Sequence, residues 1–116
     1  MIAHFKTNKY FFVSIGAIPG AILRWHLDQT LVVNIIGCFL LGLINKLNLS
    51  VRFKLIFSIG FCASLTTFSG WIFDLFRLVS NGLIQEFIIS LILAIITGLC
   101  AVYLGNLFGK LILRLF

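Results

Sequence analysis

The chain has 116 residues, of which 61% are apolar and 10% are charged, and nine Lys and Arg against three Asp and Glu give a net charge of +6. Soluble domains carry about 25% charged residues, so a soluble fold is excluded, and the apolar content also excludes a disordered chain. The positive charge does not indicate nucleic-acid binding, which needs a solvated basic face. The remaining class is an integral membrane protein, in which the positions of the cations set the orientation.

Four stretches are long and apolar enough to cross a membrane as helices, which takes about 17–25 residues each. They lie at about residues 10–27, 30–47, 53–76 and 83–108. The alternating pattern of a membrane β-strand does not occur, so we predict one all-α domain of four transmembrane helices over residues 1–116. Lys6 and Lys9 precede the first stretch as in a signal peptide, but Pro19 and the lack of a cleavage site favour a retained helix.

The cations are distributed unevenly between the two sides that four spans define. One side holds Arg24 and Arg77, and the other side holds seven cations: Lys6, Lys9, Lys46, Arg52, Lys54, Lys110 and Arg114. The excess of Lys and Arg in cytoplasmic segments predicts that both termini lie in the cytoplasm. We expect the chain to insert into a bacterial plasma membrane in one orientation.

Polar residues inside the predicted spans are the candidates for function, because they are costly in hydrocarbon. Asn34 lies early in the second span, where its amide either donates to an anion or, as is favoured on its sequence alone, bonds to a neighbouring helix. Catalysis is not indicated, because neither His4 nor His26 lies in a nucleophile or metal motif. Cys38, Cys62 and Cys100 lack metal-ligand spacing and are interpreted as packing residues.

The stretch at residues 60–71 is rich in small and hydroxyl side chains, which predicts a third helix broken in mid-membrane. A broken helix frees carbonyl groups for a cation and N–H or hydroxyl groups for a polar path; a Ser/Thr-rich packing seam is the alternative. Phe68 and Trp71 share one face, where their positive ring edges are able to stabilise an anion. Ordinary apolar packing is the alternative for both rings.

Two further features suggest a polar path. Ser90, Ala94 and Thr97 lie on one face of the fourth span, unless their hydroxyls only bond back to the preceding turn. Arg24, at the end of the first span, either extends to the interface or raises the anion concentration at a pore mouth.

The sequence resembles the CrcB/Fluc fluoride channels. The resemblance rests on GAIPGAILRW at 16–25, TLVVNIIGCFLLG at 30–42, GFCASLTTFS at 60–69 and GLCAVYLG at 98–105, in the order of that family. It implies a passive fluoride-specific channel that works as an antiparallel dimer with pores along the subunit interface. It also implies a structural Na⁺ at the dimer centre, held by backbone carbonyls that map to Ala63 and Thr66. The implied fluoride pore draws on Asn34, Thr67, Phe68, Ser69, Trp71, Ser90 and Thr97, with Arg24 in the vestibule.

Three positions depart from the family pattern: Ala63-Ser64 replace a frequent Gly-Gly, Trp71 replaces Phe, and Ala94 replaces a common serine.

A self-paired antiparallel dimer needs one sequence that inserts both ways, which a bias of seven cations to two disfavours. We therefore expect an oppositely oriented homologue as the partner rather than a second copy. The alternatives are a small proton-coupled exporter, which would need an acid in mid-span, and a structural membrane protein.

Overall fold

The computed structural model describes residues 2–116, with side chains from Lys9 onward. It is 89% helical, without strands in the described part of the chain, which confirms the all-α prediction. The elements are α1 (Ile2–Leu27), α2 (Thr30–Lys46), α3 (Val51–Lys54), a π-helix (Leu55–Cys62), α4 (Ala63–Leu65), α5 (Phe68–Ser80) and α6 (Ile84–Leu115). We refer to Val51–Ser80 as the third span and to α6 as the fourth.

Length and composition allow two of these helices, Val51–Ser80 and Ile84–Leu115, to cross a membrane, and Thr30–Lys46 is apolar but shorter. Two helices extend beyond the predicted spans. The third span is longer by a few residues at each end, and the fourth is longer at its carboxyl end. Hydropathy marks the hydrocarbon-compatible part of a helix, whereas backbone hydrogen bonding continues into the polar flanks.

The helices are joined by short turns. α1 ends where Asp28 adopts a positive φ of 44°, a conformation that Asp tolerates better than most residues, and its N–H donates to Arg24 O at 3.1 Å. Between α5 and α6, Gly82 has φ 73°, and its N–H donates to Val79 O at 3.0 Å. Both turns lie at the same end of the bundle, so consecutive long helices run in opposite directions.

Glycines set the helix pairing. A Cβ at Gly16 would collide with the carbonyl of Ile56, so α1 packs closely against the third span. A Cβ at Gly105 would collide with the carbonyl of Phe39, so α2 packs equally closely against α6. Small residues let membrane helices approach to backbone contact. These glycines are therefore used inside one subunit.

The third span is interrupted at two consecutive threonines. α4 ends at Leu65, Thr66 is extended at φ −77° and ψ 152°, and Thr67 is extended at φ −143° and ψ 116° before α5 begins at Phe68. A Cβ at buried Gly37 would collide with the methyl group of Thr66. The absence of a side chain at that position therefore lets α2 lie directly against the interruption.

Candidate functional site

Asn34 holds the interruption of the third span. Its Oδ1 accepts a hydrogen bond from the Thr67 N–H at 2.8 Å, and its Nδ2 donates to the Thr67 carbonyl at 3.2 Å. Each of the two bonds needs one particular end of the amide, so together they fix its orientation. Of the two interpretations of Asn34, the structure shows the interhelical bond. One Nδ2 hydrogen remains for a further acceptor, because the amide carries two donors.

Thr67 also begins the helix that follows. Its Oγ1 accepts from the Gly70 N–H at 3.1 Å and lies 3.3 Å from the Ser69 hydroxyl. A threonine in extended conformation is a favourable N-cap, because its side chain satisfies a donor that the first helical turn leaves free. The sequence thus restarts the helix immediately after interrupting it.

These bonds release two carbonyl groups. The Thr67 N–H bonds to Asn34 instead of the carbonyl four residues earlier, which belongs to Ala63. The Gly70 N–H bonds to the Thr67 hydroxyl instead of the Thr66 carbonyl. The resemblance assigns Na⁺ to the same two carbonyl groups. No cluster of three or more His, Cys, Asp or Glu occurs among the described residues, so a cation here would depend on backbone oxygens, which hard cations accept.

An open groove of about 680 Å³ runs beside the interruption, between α2, the third span and α6. It brings together eight residues that the sequence analysis selected: Asn34, Ala63, Thr66, Thr67, Phe68, Trp71, Ser90 and Thr97. Two selected residues lie outside its lining. Ser69 is exposed and contacts it only through Thr67, and Arg24 is exposed near the end of α1.

Phe68 and Trp71 form the aromatic part of the groove. Their ring centroids are 5.7 Å apart at an interplanar angle of 68°, an edge-to-face arrangement. Phe68 is 72% exposed, so its ring is accessible from the groove. Trp71 is half-buried, and its Nε1–H is enclosed without a hydrogen-bond partner. An edge-to-face pair offers the positive edge of one ring while covering the face of the other.

The fourth span contributes fewer free hydrogen-bond donors to the groove than its hydroxyl residues suggest. Thr97 Oγ1 bonds to the carbonyl of Leu93 at 2.7 Å and lies 3.2 Å from that of Ala94. This is the back-bonding alternative, in which the hydroxyl hydrogen is already engaged. Thr97 therefore presents acceptor lone pairs to the groove, and Ser90 is the other selected hydroxyl of α6 in its lining.

Sequence reasoning missed four polar or thiol groups that line the groove: Thr30, Cys38, Ser58 and Asp74. For three of them, the spacing along a helix could have indicated that they line the groove. Thr30 and Cys38 lie four residues on either side of Asn34, and Asp74 follows Trp71 by three, so each shares a helix face with a selected residue. Asp74 is the only formally charged side chain among the lining residues, since no Lys or Arg belongs to them.

Comparison with known proteins gives this geometry a family context. The family model for CrcB-like proteins (camphor resistance, CrcB) matches residues 11–106. The chain is 42% identical over 105 residues to a protein of Prochlorococcus marinus strain NATL2A named fluoride-specific ion channel FluC 1, covering 90% of this chain and 92% of that one. It is 43% identical over 110 residues to fluoride-specific ion channel FluC 2 of Synechococcus strain CC9902, covering 90% and 82%.

A more distant relative is also named a fluoride-specific ion channel, FluC. It comes from Methanococcus aeolicus and is 29% identical over 122 residues, which cover 92% of this chain and 99% of the relative. The matched region includes α2, the interruption at Thr66 and Thr67, and the groove. The chain belongs to the CrcB-like family.

Proposed function

We propose that this chain forms a fluoride-specific channel that lets fluoride leave the cytoplasm by passive electrodiffusion. The observation that carries the proposal is the groove of neutral hydrogen-bond donors and aromatic edges beside the Asn34–Thr67 bonds. The relatives with the same family match are named fluoride-specific ion channels. They are not enzymes, which agrees with the absence of a catalytic motif from the sequence.

Fluoride is small and strongly hydrated, so a pore has to replace its water without binding it too tightly. The remaining Nδ2 hydrogen of Asn34 and the ring edges of Phe68 and Trp71 are weak donors suited to that task. No Lys or Arg lines the groove to trap the anion. Because hydrofluoric acid enters cells neutral and releases fluoride inside, an inside-negative potential would drive the anion out through such a path.

The groove also supports a dimer. It is open along one side and places Asn34, Thr66, Thr67 and Ser90 on a surface that would otherwise face lipid. Polar groups at membrane depth need protein or water beside them. We propose that a second subunit, antiparallel to the first, covers the groove and completes the pore, with the interruption at Thr66 and Thr67 lying in mid-membrane.

The charge distribution indicates which subunit this is. Seven cations on the side of the termini and two on the other favour a single orientation, with both termini in the cytoplasm of a bacterial plasma membrane. A chain fixed in this way pairs antiparallel most readily with an oppositely oriented homologue.

The released carbonyls support a structural Na⁺ at the centre of that dimer. Ala63 and Thr66 would provide the oxygen ligands, and Ala63-Ser64 in place of Gly-Gly would not prevent backbone coordination, because no side chain is required. A bound Na⁺ would supply positive charge to carbonyl groups that the helix interruption leaves without donors. In this proposal the chain's own residues, Asn34 and Thr67, keep those two carbonyls free.

Fluoride release from proteoliposomes, compared with chloride release, tests the function. Phe68→Ile is the informative variant, because Phe68 is 72% exposed and its replacement should lower flux without a large effect on folding. Phe76→Ile is the matched control: Phe76 lies on the same helix and is 66% exposed but does not line the groove. Equal flux in both variants would refute the pore placement.

A copy of the chain that inserts the opposite way tests the pairing. Neutral replacements at Lys46, Arg52, Lys54 and Lys110, with one lysine introduced into each of the 28–29 and 81–83 turns, leave three cations against four. They reverse the charge bias without altering the groove. We expect flux when this inverted copy and the natural chain are purified together, and little flux from the natural chain alone. A stable, conducting dimer of the natural chain alone would contradict the requirement for an oppositely oriented partner.

A further inference from the structure

A second groove, of about 590 Å³, lies where α1 meets the start of the third span. Its lining consists of Phe12, Ser50, Val51, Arg52, Phe53 and Ile56. It shares no lining residue with the groove that contains Asn34. It lies at the opposite end of the bundle from the 28–29 and 81–83 turns, near the connection between α2 and α3. In the proposed membrane orientation, this end lies at the level of the lipid headgroups.

Arg52 is positioned within this groove by an aromatic ring. Its Cζ lies 5.7 Å from the centroid of the Phe12 ring, within the range of a cation–π interaction. Within the described part of the chain, the Arg52 side chain makes this contact and no hydrogen bond or ion pair, so its N–H groups are free to bind an oxygen acceptor. A planar fork of N–H donors matches phosphate oxygens better than an ammonium group does.

No carboxylate of this chain neutralises that end of the bundle. The three acidic residues, Asp28, Asp74 and Glu86, all belong to the opposite side, where they and the two arginines sum to a net charge of 2 − 3 = −1. The side that carries Arg52 holds seven cations and no acid, a net charge of +7. A charge of that size attracts anionic lipid, at about 1 kcal/mol for each Lys or Arg near the surface.

Apart from Ser50, the rest of the groove is apolar. Val51 is 73% exposed and Phe53 is 51% exposed, and the Phe53 ring stacks on Phe57 with centroids 6.2 Å apart and planes 5° from parallel. Phe12 and Ile56 complete an apolar wall beside one guanidinium. A fixed cation above an apolar wall complements a molecule with a phosphate at one end and acyl chains below it.

We infer that this groove binds an anionic phospholipid, with its phosphate on Arg52 and its acyl chains along Phe12, Phe53 and Ile56. The choice of occupant follows from charge, because a zwitterionic lipid gains less from a face of +7. The antiparallel subunit proposed above covers the groove that contains Asn34, which shares no lining residue with this one. The site depends on membrane insertion and is independent of which ion crosses the other groove.

Native mass spectrometry of the full chain in detergent tests the site. The probes are phosphatidylglycerol and phosphatidylcholine with identical acyl chains, and the variants are Arg52→Gln and Arg77→Gln. Arg77 is the matched control, because its Cζ lies 5.9 Å from the Phe73 ring centroid on the side with a net negative charge. We expect the first phosphatidylglycerol to bind about five-fold more weakly to Arg52→Gln and with unchanged affinity to Arg77→Gln.

Three results would overturn the inference: equal binding of both lipids, an equal effect of the two substitutions, or displacement of the lipid by millimolar inorganic phosphate, which would indicate a phosphate site. Should Arg52→Gln fail to fold, Phe12→Leu removes the ring and keeps the charge. It should then weaken phosphatidylglycerol binding by a smaller factor and leave phosphatidylcholine binding unchanged; no change would contradict the site. Fluoride flux measured on the natural chain purified together with its inverted copy separates failure of this site from failure of the channel proposal.

Discussion

Asn34→Ala tests how the interruption of the third span is held. The substitution removes both side-chain bonds to Thr67, at 2.8 and 3.2 Å, and leaves the N–H and the carbonyl of Thr67 without these partners. A hydrogen bond contributes about 0.5–1.5 kcal/mol net, and a buried group left unpaired costs about 1–3 kcal/mol. Since Thr67 is only half-buried, the lower values apply, and we expect a loss of about 2–3 kcal/mol.

The assay is unfolding of the purified protein in detergent, followed by tryptophan fluorescence. Asn34→Asp should lose at least as much stability, because it keeps the acceptor for the Thr67 N–H but sets a carboxylate oxygen against the Thr67 carbonyl. Asn45→Ala is the control: Asn45 is exposed on the same helix, and exposed positions usually change stability by less than about 0.5 kcal/mol. If Asn34→Ala were as stable as Asn45→Ala, the two bonds would not hold the interruption.

Three further predictions concern packing, capping and charge. Gly105→Ala should destabilise the protein by about 1–3 kcal/mol, because its Cβ meets a backbone carbonyl. Gly98→Ala is the control in the same unfolding assay. It should be neutral, because the nearest atom to its Cβ lies 3.8 Å away. Thr67→Ala should cost about 1 kcal/mol by removing the acceptor of the Gly70 N–H, whereas Thr67→Ser should not. Asp74→Asn should leave fluoride flux equal or higher, since it removes a like charge from the groove; abolished flux would instead favour proton-coupled export.

Local sequence features predicted much of the fold. Four apolar runs are long enough to cross a membrane and are separated by short polar segments. They predicted the four long helices close to their observed positions. The small and hydroxyl residues at 60–71 include Thr66 and Thr67, whose backbones are extended. The Thr66 N–H still bonds to the Cys62 carbonyl, and the Thr67 N–H bonds to Asn34 instead. These features are short-range consequences of hydropathy and turn chemistry, so they can be read from the chain directly.

Tertiary partners were beyond that reasoning. The Asn34 amide bonds to Thr67, 33 residues away, and nothing in the spacing of the chain selects that partner. Which backbone Gly16 and Gly105 meet is likewise set by the folded structure and not by the spacing of the chain. Asp74 lines the groove although it is exposed; it was missed because it lies near the end of a predicted span, where an acid is expected to face solvent.

The most direct test of the central claim is anion release from proteoliposomes that contain the natural chain purified together with its inverted copy. A fluoride electrode and a chloride electrode record release from the same preparation under an imposed potential. The proposed function predicts rapid fluoride release, little chloride release, and slower fluoride release with Phe68→Ile than with Phe76→Ile. No fluoride release, or equal release of both anions, would contradict a fluoride-specific channel.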